Sequence, residues 1–177
     1  LDIATVPVLS FDALTSVIGD FRAQHAGVRL RLYQPDAVDE VLEMVHSGKA
    51  ELGLIDVPVP TRLETEIEAT RLGGQEFSVI LPPGTPPPEE PLPIKRLFEY
   101  PLIMGPRGTY LRDLISQFAK ELDHEPTIAI EIERRESAMQ LILAGGGAAI
   151  LPGSLAAMAR SYGAVTVRTV PPLWREI

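Results

Sequence analysis

The chain has 177 residues, a formal net charge of −8 at pH 7 and an apolar fraction of 45%, which suits one large globular domain or two small ones with real cores. Its acidic balance offers no overall attraction to a phosphate backbone, and no apolar run approaches the roughly 20 residues that span a bilayer. The absence of cysteine removes disulfides, thiolate nucleophiles and zinc–cysteine sites together.

The chain starts at Leu1, without a methionine and directly in an apolar stretch, so we expect a piece of a longer protein. Residues 1–5 predict a short strand. The turn Val6, Pro7, Val8, Leu9 leads into a helix with Ser10 as N-cap and Phe11, Leu14, Val17, Ile18 and Phe21 on one face. Residues 28–32 alternate strictly, as a strand with one wetter face does. Asp36 or Asp39 can cap a second helix, whose stripe is Val38, Val41, Leu42 and Val45 and whose stop is Gly48. Residues 52–55 are a continuous apolar strand ending at Asp56. The order β-α-β-α-β predicts a parallel sheet with right-handed crossovers.

Beyond Pro58 and Pro60 the character changes. Residues 66–72 and 77–81 read as strands separated by Gly73, Gly74, Gln75 and Glu76, where the chain can pass from one domain to another. Residues 82–93 hold seven prolines in twelve and form neither helix nor central strand. The alternation then resumes, with 101–104 as strand, 105–108 as loop, and 111–122 as a helix turning Leu111, Leu114, Ile115, Phe118 and Leu122 inward. Residues 127–132 are the next strand. After Pro152, Ser154 can cap a helix to about Tyr162, and 165–170 form another strand.

Residues 131–152, EIERRESAMQLILAGGGAAILP, organise this second half. Met139, Leu141, Ile142 and Leu143 are apolar all round a helix of two or three turns, which must be largely buried. Gly145 stands where a helix needs a left-handed C-terminal residue, and Gly146 and Gly147 let the backbone turn into the strand at 148–151. Each half is thus a small α/β sheet with loops at its strand ends, and a cleft at strand carboxyl ends is the usual small-molecule site.

Catalysis finds no foothold in these residues. There is no GxGxxG after a strand, no Walker A lysine and no HExxH, and the glycines at 145–147 end a helix instead of opening one. His25, His46 and His124 read as solvated, and Ser10, Thr109 and Ser154 as helix caps. Asp56 stands at a buried strand end without an evident partner. A binding constellation remains: Gly105, Pro106, Arg107, Gly108 and Thr109 lead into a helix, placing N–H donors near a guanidinium, and Arg134 and Arg135 add charge from the loop at 133–136. Such a set suits a carboxylate or similar anion.

Taken together, IATVP, SGKAELGLID, FSVILPPGTP, RLFEYPLIMG and ESAMQLILAGGGAAILP resemble the effector-binding domain of LysR-type transcriptional regulators, over nearly all of the chain. The resemblance implies an α/β, type 2 periplasmic-binding-protein-like fold with two α/β subdomains around a ligand cleft. It implies residues 1–74 as the first subdomain, lacking its closing C-terminal part, and 75–177 as the second. The final crossover strand and closing helix are expected after Ile177. It also implies an N-terminal winged helix-turn-helix outside this chain, DNA binding through that part alone, a cytoplasmic homodimer or tetramer, and no cofactor, metal or membrane.

The family's ligand contacts map onto Thr5, Val6, Pro7 and Val8, onto Asp56, onto Gln75 beside Glu76, and onto Arg107, Gly108 and Thr109 with Glu133 and Arg134. Where many members carry serine or threonine in the first turn, Val6 and Val8 make the wall more apolar. The expectation is therefore a transcription factor's sensor for a small organic anion and not an enzyme. A periplasmic solute-binding protein is the alternative on the same fold.

Overall fold

A computed structural model describes residues 1–10, 13–56, 67–133 and 137–177. The chain forms two units, one of residues 1–74 with 175–177, the other of residues 75–174. The first is built from β1 (Asp2–Thr5), α1 (Pro7–Ser10), α2 (Ala13–Gln24), β2 (Arg31–Tyr33), α3 (Val38–His46) and β3 (Leu52–Leu54). Its strands pair in the order β2-β1-β3, all parallel, with Ile3 opposite both Leu32 and Leu52. Ala4, Val6, Leu9, Val41 and Ala50 make its core, and α3 packs closely over the sheet. Gly53 permits that approach, since a Cβ there would lie 2.9 Å from Val45 Cγ2 and 3.1 Å from Val41 Cγ1.

Several local expectations are corrected. Among the described residues Ser10 caps nothing: it ends the short α1, its hydroxyl donating to Pro7 O at 2.7 Å and accepting from Gln34 Nε2 at 2.6 Å. On the first long helix Leu14 is buried but Val17 is 60% exposed, and Phe11 lies outside the described residues. The N-cap of α3 is Ala37, while Asp39 and Glu40 occupy its first turn, where their charge complements the helix dipole. The strand expected at 28–32 begins only at Arg31, because Val28 closes a turn onto His25 O at 3.0 Å and the Arg22 guanidinium holds the carbonyls of Ala26 and Val28.

The second unit runs through β4 (Gly74–Leu81, entering the unit at Gln75), β5 (Leu92–Pro93), α4 (Ile94–Leu97), β6 (Leu102–Met104), α5 (Tyr110–Glu121), β7 (Ile128–Glu131), α6 (Ala138–Leu143), β8 (Ala149–Pro152), α7 (Gly153–Ser161), β9 (Val165–Val167) and β10 (Thr169–Val170). β6 is parallel to β7 and bridges Ala148 in parallel, whereas β4 is antiparallel to both β8 and β9. The sheet is mixed. Its strands alternate between two cores: Phe77, Val79, Leu102, Met104 and Ile150 face α4 and α5, while Ile80, Ile103, Ala149 and Leu151 face α6 and α7. Burial on both faces explains why these strands read as apolar runs.

The strand expected at 66–72 is not formed in its described part, where residues 68–72 are all exposed and burial rewards no pairing; Glu66 lies outside the described residues. The strand expected at 165–170 breaks at Arg168, β9 pairing with β4 and β10 with β5. Ser154 falls inside α7, whose N-cap is Pro152. The largest difference concerns residues 175–177, expected in the second subdomain. Through β11 (Trp174–Glu176) they belong to the first unit. Ile177 packs on its core and exchanges backbone bonds with Leu72 and Gly73, Glu176 pairs with Arg71, and Arg175 is fully buried against Asp56.

Candidate functional site

In the first unit, the parallel strands β1 and β3 end side by side, Thr5 standing opposite Leu54. Thr5 is fully buried, its hydroxyl donating to Val6 O at 3.2 Å, and Val6 is itself a core residue. Pro7, half-buried, opens α1, a position that suits a residue with a fixed φ and no N–H. The Val8 side chain lies outside the described residues. Of its described side chains this turn therefore presents Pro7, those of Thr5 and Val6 being spent on the fold.

Asp56, two residues past β3, has the partner that sequence reasoning missed. Arg175 Nη1 donates to Asp56 Oδ2 at 3.2 Å, across 119 positions of sequence. The arginine side chain is 0% exposed and the aspartate side chain 17%. A guanidinium in protein stays charged, so a buried one demands anionic company, and Asp56 supplies it.

In the second unit, β6 and β7 end together and feed the loops expected to bind. Gly108, at φ +84°, donates its N–H to Asp113 Oδ1 at 3.3 Å, so a carboxylate of the chain already occupies that amide. Thr109 holds the N-cap position of α5 in extended conformation, yet its hydroxyl donates back to Pro106 O at 2.9 Å and caps nothing. Arg107 and Glu133 are exposed, and Gln75 and Glu76 half-buried. Arg134 lies outside the described residues. Between these strand ends and the helices is an apolar cavity of about 10 Å³, lined by Met104, Gly105, Leu111, Ile132, Ala138 and Leu151 among others. It has room for about one water. On the outer side of β7, Arg112 Nη1 is buried 3.8 Å from Glu131 Oε2 and, among the described residues, has no hydrogen-bond partner. Among the described residues no group of three or more His, Cys, Asp or Glu side chains can hold a metal ion.

Two α/β units whose loop residues gather at the ends of parallel strands define a ligand-binding domain. The LysR substrate binding domain family matches residues 1–177, the whole chain, and the chain belongs to that family. Among its relatives is the HTH-type transcriptional regulator IlvR of Caulobacter vibrioides, 25% identical over 162 residues, covering 90% of this chain and 54% of that protein. The chain thus spans about half the length of that relative. Its fold resembles CbnR, a LysR family transcriptional regulator, with a TM-score of 0.77 and 20% identity, covering 100% of this chain and 62% of the other. It also resembles the effector binding domain of QuiR in complex with shikimate, with a TM-score of 0.72 and 18% identity over 99% of this chain and 85% of that one. The BenM effector binding domain with its effector benzoate gives 0.73 and 18% over 100% and 82%. At these identities the likenesses show the fold, which is the type 2 periplasmic-binding-protein-like one.

Proposed function

We propose that this chain is the effector-sensing part of a cytoplasmic DNA-binding transcriptional regulator, and that its effector is a small organic anion. What supports the reading is the position, at parallel strand ends in each unit, of residues expected to bind: Pro7 and Asp56 in the first, Arg107 to Thr109 and Glu133 in the second. Two fold neighbours bind carboxylic acids, shikimate and benzoate, which supports the anionic class. The whole-chain match to a regulator's domain favours this over a periplasmic solute-binding protein. DNA contact belongs to a part outside these residues, consistent with their net charge of −8.

An effector acts only through its differential affinity for two states of the regulator, so tight binding alone switches nothing. We further propose a homodimer or tetramer, in which exposed apolar side chains such as Val17 and Leu32 of the first unit are covered. The test of the sensor is a thermal-shift screen of this chain against aliphatic and aromatic acids, amino acids and phosphosugars, repeated with Arg107→Ala. A ligand at 100 times its Kd stabilises by about 2.7 kcal/mol. A hit lost in the variant supports an anion held by Arg107. A hit retained keeps the sensor and removes that arginine, and no hit from any acid overturns the anionic reading.

A further inference from the structure

Arg112 and Glu131 link the two elements that carry the second unit's expected binding loops. Arg112 lies in the first turn of α5, and that helix is tied to the loop before it, Gly108 N–H donating to Asp113 Oδ1 at 3.3 Å and Thr109 Oγ1 to Pro106 O at 2.9 Å. Glu131 ends β7, two residues before Glu133, and stands opposite Met104, the last residue of β6 before the same loop. The two side chains meet but do not bond. Arg112 Nη1 lies 3.8 Å from Glu131 Oε2, about 1 Å too far for a charge-assisted hydrogen bond. That nitrogen is buried without an acceptor among the described residues, whereas the glutamate side chain is 55% exposed. A buried donor without an acceptor is costly, and a solvated carboxylate at this distance offsets little of the cost.

We propose that Arg112 and Glu131 are positioning residues of the sensor, and that an acid held by the second unit's loops draws α5 and β7 together until their bond closes. This rests on the organic-anion reading above and adds the internal contact that answers the ligand. Because Asp113 ties α5 to its loop, a pull on the loop moves Arg112 with it. The arrangement with the bond closed then binds the acid more tightly than the arrangement with it open, which is the differential affinity an effector requires. Neither side chain touches the acid. The sign of the effect separates this from simple electrostatics. Glu131 is a negative charge near an anion, so removing it should tighten binding by Coulomb's law, whereas losing the bond weakens binding.

The experiment measures Kd by calorimetry for benzoate, shikimate, leucine and 2-oxoglutarate on the 177-residue chain, on Glu131→Gln, on Arg112→Met and on the double variant, with urea unfolding of each in the absence of acid. In Glu131→Gln the tightest-binding of the four should lose about tenfold in affinity. In the Arg112→Met background the same change should cost nothing further, whereas unfolding without acid should show no comparable coupling between the two sites. A purely structural pair gives the reverse, with coupling in unfolding and Kd unmoved. Tighter or unchanged binding in Glu131→Gln overturns the proposal and leaves the anion reading standing. Losses that simply add in the double variant, or coupling as large in unfolding, overturn it too. If Arg112→Met does not fold, Glu131→Gln decides alone by the sign of its change. If none of the four acids binds, this proposal falls and the wider screen decides the anion reading.

Discussion

Gly147→Ala should be among the most damaging single-atom changes in this chain, and the reason is spatial as well as conformational. Gly147 has φ +137°, a region that L side chains rarely enter, at a cost of about 1–3 kcal/mol. A Cβ there would also lie 2.5 Å from Pro101 O, a backbone atom. That oxygen accepts the Ala148 N–H at 2.8 Å, and Ile103 N–H donates to Ala148 O at 2.7 Å, so relief of the clash breaks the junction of β6 with β8. Overpacking of this kind costs about 1–3 kcal/mol more. The sum, about 4 kcal/mol, is a large share of a typical domain's stability and lowers Tm by about 10 °C. Gly145→Ala is the control. Gly145 has φ +84° but open space around its implied Cβ, so only the backbone term of about 1–2 kcal/mol applies. Thermal unfolding followed by circular dichroism compares the two. If Gly147→Ala melts no lower than Gly145→Ala, the clash with Pro101 is not the controlling term and the reasoning fails.

Two further changes separate core from surface. Ile142→Ala removes a fully buried side chain between α6 and the sheet and should cost about 2–5 kcal/mol, read as a lowered urea midpoint at unchanged slope. Val17→Asp, on a side chain 60% exposed, should change stability by no more than about 0.5 kcal/mol but weaken self-association in sedimentation velocity if the proposed oligomer covers this face.

The second unit was the more legible of the two because its signals are redundant. The helix at 138–143 announces itself by apolar residues all round, and three glycines follow it. Gly145 and Gly146 donate to Ile142 O at 2.9 Å and Leu141 O at 2.8 Å, the paired bonds of a glycine-terminated helix, and Gly147 clears Pro101. Periodicity does not reveal strand direction, so the antiparallel course of β4 against β8 and β9 was invisible. Caps failed for a related reason. Ser10 and Thr109 have the right residue type, but each hydroxyl finds a carbonyl three residues back and bonds there first, a choice local geometry makes and composition does not.

The positions of the strand-end residues were legible, and what they bond to was not. A strand-end carboxylate can be found from the pattern of residues 52–56, since parallel strands carry their functional groups at that end, although the burial expected of this strand is not seen, Leu52 being 53% exposed. What occupies its charge cannot, because Arg175 lies 119 positions away in a strand of three residues flanked by an exposed Trp174. An arginine between a tryptophan and a glutamate reads as surface by every local rule, since charged side chains are almost never fully buried unless paired. Only the return of residues 175–177 to the first unit makes the pair. With Arg175 Nη1 donating to Asp56 Oδ2, the charge at this strand end is half of a buried ion pair and not the lone carboxylate that the strand-end pattern suggests.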